Sequence, residues 1–95
     1  MNMDFLFSKT PKEIQKVIAS NERKRRKEAG LTQEQLSRKA DVSLGSLKRF
    51  ETTGEISLYS LLKLAIVLEQ EEEFMKLFER EHYNSIQEVI DEQNS

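Results

Sequence analysis

Apolar residues recur along this chain at the three- and four-residue spacing of an α-helix, in stretches separated by short polar breaks. Ile14, Val17 and Ile18 form such a stripe in the first stretch. Residues 58–68 are apolar nearly all round, which is typical of a helix buried on more than one side. No stretch alternates apolar and polar residues as a half-buried strand does. The pattern therefore predicts an all-α protein.

Hydroxyl residues stand where helices should begin. Thr10 and Thr32 are each followed three residues later by Glu or Gln, which is the capping-box spacing. Gly30 and Gly54 are typical helix stops, and Asp41 is one of the few other residues that accepts positive φ. We predict helices over residues 11–29, 33–40, 44–52, 58–68 and 71–81, and a short one that begins after Ser85.

The length of 95 residues corresponds to one domain. We expect an N-terminal arm (1–10), a five-helix domain (11–81) with a helix-turn-helix at 32–52, and a C-terminal tail with a short helix (82–95). The chain has no cysteine, no secretion signal and no apolar run near the ~20 residues that cross a bilayer. We therefore expect a soluble cytoplasmic protein with no membrane partner.

The formal net charge of −2 conceals a strong asymmetry. Residues 23–49 carry nine basic and three acidic side chains, a net +6, whereas residues 50–95 carry three basic and eleven acidic ones, a net −8. The local field, rather than the total charge, should decide which partners bind. A basic segment this dense suits a polyanion, although a solvated helix face is the simpler alternative.

The predicted third helix has two different faces. If Leu47 and Phe50 point inward, the rotation of about 100° per residue turns Lys48 and Arg49 away from the core. The outward face is then cationic and polar, and Gly45, which has no side chain, lets another surface come close. Such a face suits a DNA groove. Its members are Gly45, Lys48, Arg49 and Thr52, flanked by Leu44 and Ser46.

The same stretch resembles the helix-turn-helix of the lambdoid phage repressor and Cro family. The resemblance covers roughly residues 14–69 and includes segments on both sides of the motif, Gly30-Leu31-Thr32 and residues 57–65. The matching positions within the motif are Gln33, Leu36, Ser37, Ala40, Val42, Ser43, Leu47, Phe50 and Glu51.

This resemblance implies a five-helix domain whose third helix lies in the major groove of double-stranded DNA. Gln33 and Ser43 would each contact a phosphate, and Arg26 would pair with Glu51. A local pairing of Arg26 with Glu22, one turn away, competes with that ion pair. The base-reading positions would be Leu44, Gly45, Ser46, Lys48 and Arg49.

Four positions depart from the family pattern. Asp41 stands in place of glycine, and Glu22 stands where relatives often have an apolar residue, which would dock the first helix less firmly. Leu44-Gly45 replaces a pair of polar base readers. Specificity should therefore depend on Lys48, Arg49, a thymine-methyl contact from Leu44 and DNA shape.

The basic run at residues 23–27 has three interpretations: phosphate contacts by some members such as Arg25, a solvated face, or a nuclear address. On a helix these five residues wind more than a full turn and do not share one face. His82 is the single histidine and is interpreted as a surface residue, while Glu71-Glu72-Glu73 suits a helix start. No base is placed to activate a serine, so we expect neither an enzyme nor a cofactor.

The apolar residues of the last two helices exceed what so small a chain can bury, which favours a homodimer over a core role alone. We expect a DNA-binding regulator without a small-molecule effector. A variant of this function is an antitoxin, whose segment 79–95 would hold a toxin protein. A protein-interaction adaptor that kept the scaffold without DNA binding is the alternative. The expected dimer residues are Ile66, Val67, Phe74, Met75 and Phe78, with Leu77 beside them.

Overall fold

A computed structural model describes residues 9–81 and residue 93 of the chain. Residues 9–81 contain five helices and no strand, which confirms the all-α prediction. The helices are α1 (Pro11–Glu28), α2 (Gln33–Ala40), α3 (Leu44–Thr53), α4 (Leu58–Val67) and α5 (Glu71–Met75).

The helix starts follow from the hydroxyl caps. The Thr10 and Thr32 side chains each accept a hydrogen bond from the third backbone N–H of their helix, and both capping boxes are complete. Ser43 and Ser57 cap α3 and α4 in the same way, by accepting from the N–H groups of Ser46 and Ser60. These bonds satisfy N–H groups that a helix terminus otherwise leaves without a partner.

Two of the helix ends depend on left-handed backbone. Asp41, with φ 56°, ends α2, and so takes the conformation predicted for it. Gly54, with φ 86°, ends α3. A Cβ at Gly54 would lie 2.9 Å from the backbone carbon of Gln15 in α1. Glycine is therefore needed there twice, for its backbone angle and for the close approach of α1.

The core lies where α2, α3 and α4 meet. Four side chains there are fully buried: Leu36, Leu47, Phe50 and Leu64. α1 packs on α3, α2 packs on both α3 and α4, and α5 packs on α4. The helix-turn-helix is thus held from two sides, by α1 behind α3 and by α4 behind α2. The other buried members of the core are Ala19, Ala40, Val42 and Leu68.

The prediction for the fifth helix is wrong in length. It was expected over residues 71–81, but α5 ends at Met75. Beyond it, the N–H groups of Leu77 and Glu79 bond to carbonyls three residues back, and Phe78 has a φ of 64°. The segment therefore forms successive turns. No residue of α5 is buried and only Phe74 is half-buried, so packing among the described residues gives this short helix little support.

α4 packs on two neighbours, α2 and α5, but it is not buried all round. Leu58, Tyr59 and Ile66 are each more than half exposed, whereas Leu64, Ala65 and Leu68 are buried. One face of α4 packs on the core and the other stays outside it. The described residues include no helix that combines the length and apolarity of a membrane span.

Two predictions concern residues outside the described part of the chain. These are most of the N-terminal arm, at residues 1–8, and the short helix after Ser85, in the C-terminal tail. His82 is also outside the described residues.

Candidate nucleic-acid interface

α3 has the orientation that its sequence predicts. Leu47 and Phe50 are buried at 0% and 1% exposure, and they fix the inner face of the helix. Leu44 is half-buried at the first turn. The outer face presents two cations together with small polar residues. The exposed members are Gly45, Ser46, Lys48, Arg49 and Thr52.

The hydroxyls on this face differ in what they can still donate. Ser43 Oγ accepts from the Ser46 N–H at 3.1 Å and donates to Ser46 Oγ at 2.8 Å. Thr52 Oγ1 donates to the Lys48 carbonyl at 2.9 Å. Of the three hydroxyls of this face, Ser46 is therefore the one whose hydrogen is left for an incoming acceptor such as a phosphate oxygen.

The two cations of α3 have different surroundings. Lys48 is exposed and has no ion pair with any residue in 9–81. Arg49 pairs with the Glu55 carboxylate just beyond the helix, with Nε 3.2 Å from Oε1 and a second contact from NH2. The hydrogen bonds and charge of Arg49, together with Lys12 3.5 Å away, lower the pKa of Glu55. A phosphate would therefore compete with Glu55 for Arg49, whose side chain is 68% exposed.

Gln33 stands at the first turn of α2 and is half-buried. Its Nε2 donates to Glu51 Oε1 at 2.9 Å. The backbone N–H of a first-turn residue has no partner within its own helix, so this group can meet an anion without disturbing the side chain. The side chain of Gln33 therefore bonds to the Arg26–Glu51 pair, while its backbone N–H stands at the start of α2.

Arg26 and Glu51 form a buried ion pair that joins α1 to α3. Arg26 Nε and NH2 donate to the two Glu51 oxygens at 2.8 Å and 2.9 Å, and the side chains are 9% and 3% exposed. Arg26 NH1 donates to the Leu31 carbonyl in the α1–α2 loop. Burial alone would raise the pKa of Glu51, but its hydrogen bonds from Arg26 and Gln33 and the charge of Arg26 outweigh burial and lower the pKa. One guanidinium therefore fixes α1, the loop and α3 together.

Glu22 is the residue whose situation the sequence did not reveal. It is 8% exposed, and neither carboxyl oxygen has a hydrogen-bond donor among the described residues. Burial raises its pKa most, and the neighbouring Glu51 carboxyl raises it further, to about 8, although Arg26 acts in the opposite direction. The sequence offered only an indirect signal that Glu22 lies beside the ion pair. Glu22 is one helical turn before Arg26, and the family resemblance pairs Arg26 with Glu51.

Arg25 lies in a different place from the α3 face. It lines a groove of about 470 Å³ between α1 and the α4–α5 pair, and it pairs with Glu28 at 3.3 Å. Leu61, Leu68 and Phe74 line the same groove. The structure therefore associates Arg25 with this groove.

The residues expected at a dimer seam are not equally accessible. Ile66, Met75 and Phe78 are 59%, 77% and 104% exposed. Phe74 is half-buried, and Val67 packs against the core. An accessible apolar surface thus exists on α4 and the turns after α5, and Val67 contributes mainly to the monomer.

Comparison with known proteins gives one match. The model of a helix-turn-helix family matches residues 23–74, more than half of the chain. No curated protein and no solved structure matches significantly. The match includes α2, α3 and α4 whole and the basic half of α1. The chain therefore belongs to this helix-turn-helix family, whose members are DNA-binding regulatory proteins rather than typical enzymes.

Proposed function

We propose that this protein is a sequence-specific transcription regulator that reads double-stranded DNA with α3. The observation that carries the proposal is the outer face of α3, where Lys48 and Arg49 stand exposed opposite the buried Leu47 and Phe50. A helix with this placement enters the major groove with its N-terminal residues near base edges. Base contacts would come from α3, in a manner similar to lambdoid repressors.

Phosphate contacts would surround this helix. The Ser46 hydroxyl and the N-terminal backbone amides of α2, beginning at Gln33, face outward at two helix starts. Ser43 caps α3, so its contribution would be to position the N-terminal backbone amides of α3. Arg25 is the least direct of the expected contacts, because it lies on the groove beside α4 and α5. Phosphate contacts fix the register of the protein on DNA, while the α3 side chains provide the specificity.

We propose that the regulator binds as a homodimer and acts as a repressor. The exposed Ile66, Met75 and Phe78 supply apolar surface for a symmetric seam. Such a dimer would place two α3 helices about 34 Å apart, which is one turn of DNA, on a two-fold operator. A repressor needs only to occupy that operator. The domain responsible would comprise residues 11–81.

A binding titration against salt tests DNA recognition directly. If about six phosphates are neutralised, the logarithm of the association constant should fall with the logarithm of salt concentration, at a slope of about −5. Lys48→Ala should cost about 1–3 kcal/mol and relax base preference. Lys16→Ala, at an exposed lysine in the first half of α1, is the matched control and should leave affinity unchanged. Absence of any affinity at low salt would refute the proposal.

One variant of this function is the antitoxin of a toxin–antitoxin pair, with residues 79–95 holding the toxin. Its test is co-purification with the product of the neighbouring gene, compared between the full chain and a chain that ends at residue 81. Recovery of the partner only with the full chain would support the variant. Equal recovery, or none, would exclude a toxin held by that segment.

The adaptor alternative is favoured by one observation, the pairing of Arg49 with Glu55. A carboxylate on a recognition cation lowers the positive potential that DNA would meet. If the chain were an adaptor, Lys48→Ala and Arg49→Ala would leave the salt titration unchanged, because no phosphate would be bound in either case.

A further inference from the structure

We infer that Glu22 is a neutral carboxylic acid in the folded protein and that, by sharing its proton with Glu51, it positions Gln33 at the start of α2. The inference about the neutral acid stands on the geometry of the α1–α3 contact. Its consequence for DNA contacts rests on the function proposed above.

The geometry requires a proton in this contact. Glu22 is buried on the α3-facing side of α1, and its oxygens meet no donor in the described part of the chain. Glu51 already accepts three hydrogen bonds, two from Arg26 and one from Gln33. Two bare carboxylates would therefore share a single guanidinium out of water, which costs far more than one neutral acid does. A proton on Glu22 removes one charge and supplies the missing hydrogen bond to Glu51.

The charged groups around Glu22 do not offer another solution. Arg26 is already committed to Glu51 and to the Leu31 carbonyl. α2 contributes the uncharged Gln33 to the network, and α4 contributes apolar residues to the groove beside Glu22. The remaining ionisable groups that line the groove are Lys24, Arg25 and Glu28 of α1 and Glu73 of α5.

Loss of the proton would loosen this contact and disturb Gln33. The new carboxylate would repel Glu51 and compete for Arg26, and Glu51 is also the acceptor that holds the Gln33 amide. α1 has little apolar burial to resist the change: Ala19 is buried, but Ile14 and Val17 are 46% and 50% exposed. Glu22 would thus act through Glu51 as a positioning residue for Gln33.

The pH dependence of stability follows from where the proton resides. An unfolded glutamate loses its proton near the ordinary pKa of 4.5, whereas folded Glu22 keeps it up to about 8. Below 4.5 both states hold the proton, so the contribution to stability is complete. Between these values only the folded state binds the proton, so stability falls as pH rises, by up to about tenfold in the unfolding equilibrium per pH unit. Above about 8 the fall ends.

Glu22→Gln tests this dependence because the amide keeps the shape and the donor but cannot ionise. Its unfolding equilibrium, measured by denaturant at a series of pH values, should lose that slope, and the variant should exceed the wild type in stability at alkaline pH. Glu28→Gln, an exposed glutamate of the same helix, should keep the wild-type slope. An unchanged slope in Glu22→Gln would overturn the inference.

A titration of the wild type does not depend on any variant folding. Carbon NMR of the glutamate side-chain carboxyls should show one group that titrates near pH 8. The Gln33 side-chain amide resonances should shift with the same midpoint. If no glutamate carboxyl titrates near pH 8, the neutral acid is refuted. If the Gln33 amide resonances do not shift with that midpoint, the positioning role is refuted.

DNA binding separates the inference from the proposed function. If the wild type binds no duplex DNA, the proposed function fails while the two NMR readouts still decide the inference. If it binds, its affinity should weaken as pH rises through about 8 more steeply than that of Glu22→Gln. Identical profiles for the two proteins would overturn the role of Glu22 in DNA contact alone.

Discussion

The α2–α3 pair and the C-terminal region (the outer face of α4 with residues 71–80) both carry apolar residues at helical spacing, yet they use them differently. In α2–α3 those residues close into a core, with Leu36, Leu47 and Phe50 at most 1% exposed. In the C-terminal region Ile66, Met75 and Phe78 are all more than half exposed. The spacing is helical in both, but in the described part of the chain the apolar residues of α2–α3 are covered by neighbouring helices and those of the C-terminal region are not.

This contrast shows that a stripe of apolar residues indicates a face that favours burial but does not identify the surface that will cover it. α3 lies between α1 and α2, so its stripe is covered within one chain. Within residues 9–81 the turns after α5 have no comparable cover, and the apolar surface they expose is typical of an interaction site. The predictions below test this difference, from the largest expected effect to the smallest.

Truncation of one phenylalanine in each region should change the free energy of unfolding by very different amounts. Phe50→Ala removes a fully buried ring, and we expect a loss of about 3–5 kcal/mol in the free energy of unfolding. Phe78→Ala should change it by less than about 0.5 kcal/mol, because this side chain is fully exposed in the monomer. Denaturant unfolding at a concentration where both proteins are monomeric measures both. Equal losses would mean that Phe78 is buried within the monomer.

Removal of the guanidinium should destabilise the α1–α3 contact by nearly as much. Arg26→Met leaves Glu51 buried without its cation, at a cost of about 3 kcal/mol. The double variant Arg26→Met/Glu51→Leu should recover much of that loss, because it removes the unpaired charge along with the pair. If the double variant is as unstable as the single one, the unpaired charge is not the cause.

A charge in the C-terminal region should act on association and not on folding. We expect Met75→Glu to weaken a homodimer at least tenfold, or about 1.4 kcal/mol, as measured by sedimentation equilibrium. Val17→Glu, at an exposed position of α1 outside this region, is the control and should leave association unchanged. Val67 is a poorer probe, because it packs on the core and its substitution would confound folding with association. If Met75→Glu leaves the dimer dissociation constant unchanged, the dimer seam does not include this region.

The smallest effect concerns the pairing at the edge of α3. Glu55→Gln releases Arg49 and removes a negative charge near the proposed DNA surface. Affinity for duplex DNA at low salt should rise by about two- to threefold. Thermal unfolding should change little, because the pair is exposed to solvent. A fall in affinity would show that Glu55 aligns Arg49 and does not compete with DNA.

The sequence by itself determined the helices and the face that α3 presents. Local signals sufficed there: the hydroxyl caps at Thr10, Thr32 and Ser43 bond within three residues, and one turn of helix relates Leu47 to the exposed residues opposite it. The sequence could not show that α5 ends at Met75, because its acidic start and apolar residues read like those of a longer helix. Where the helix ends depends on packing, and no residue of α5 is buried among the described residues.

Only the tertiary structure decided how the charges are paired. Glu22, Arg26 and Glu51 are drawn together from two helices separated by the α1–α2 loop and α2, and Glu55 meets Arg49 after the chain turns at Gly54. Helical periodicity places a residue on a face, but burial and the distance to another helix decide whether its carboxyl keeps a proton. Coulomb and desolvation energies depend on those distances in space, and the order of residues along the chain does not contain them.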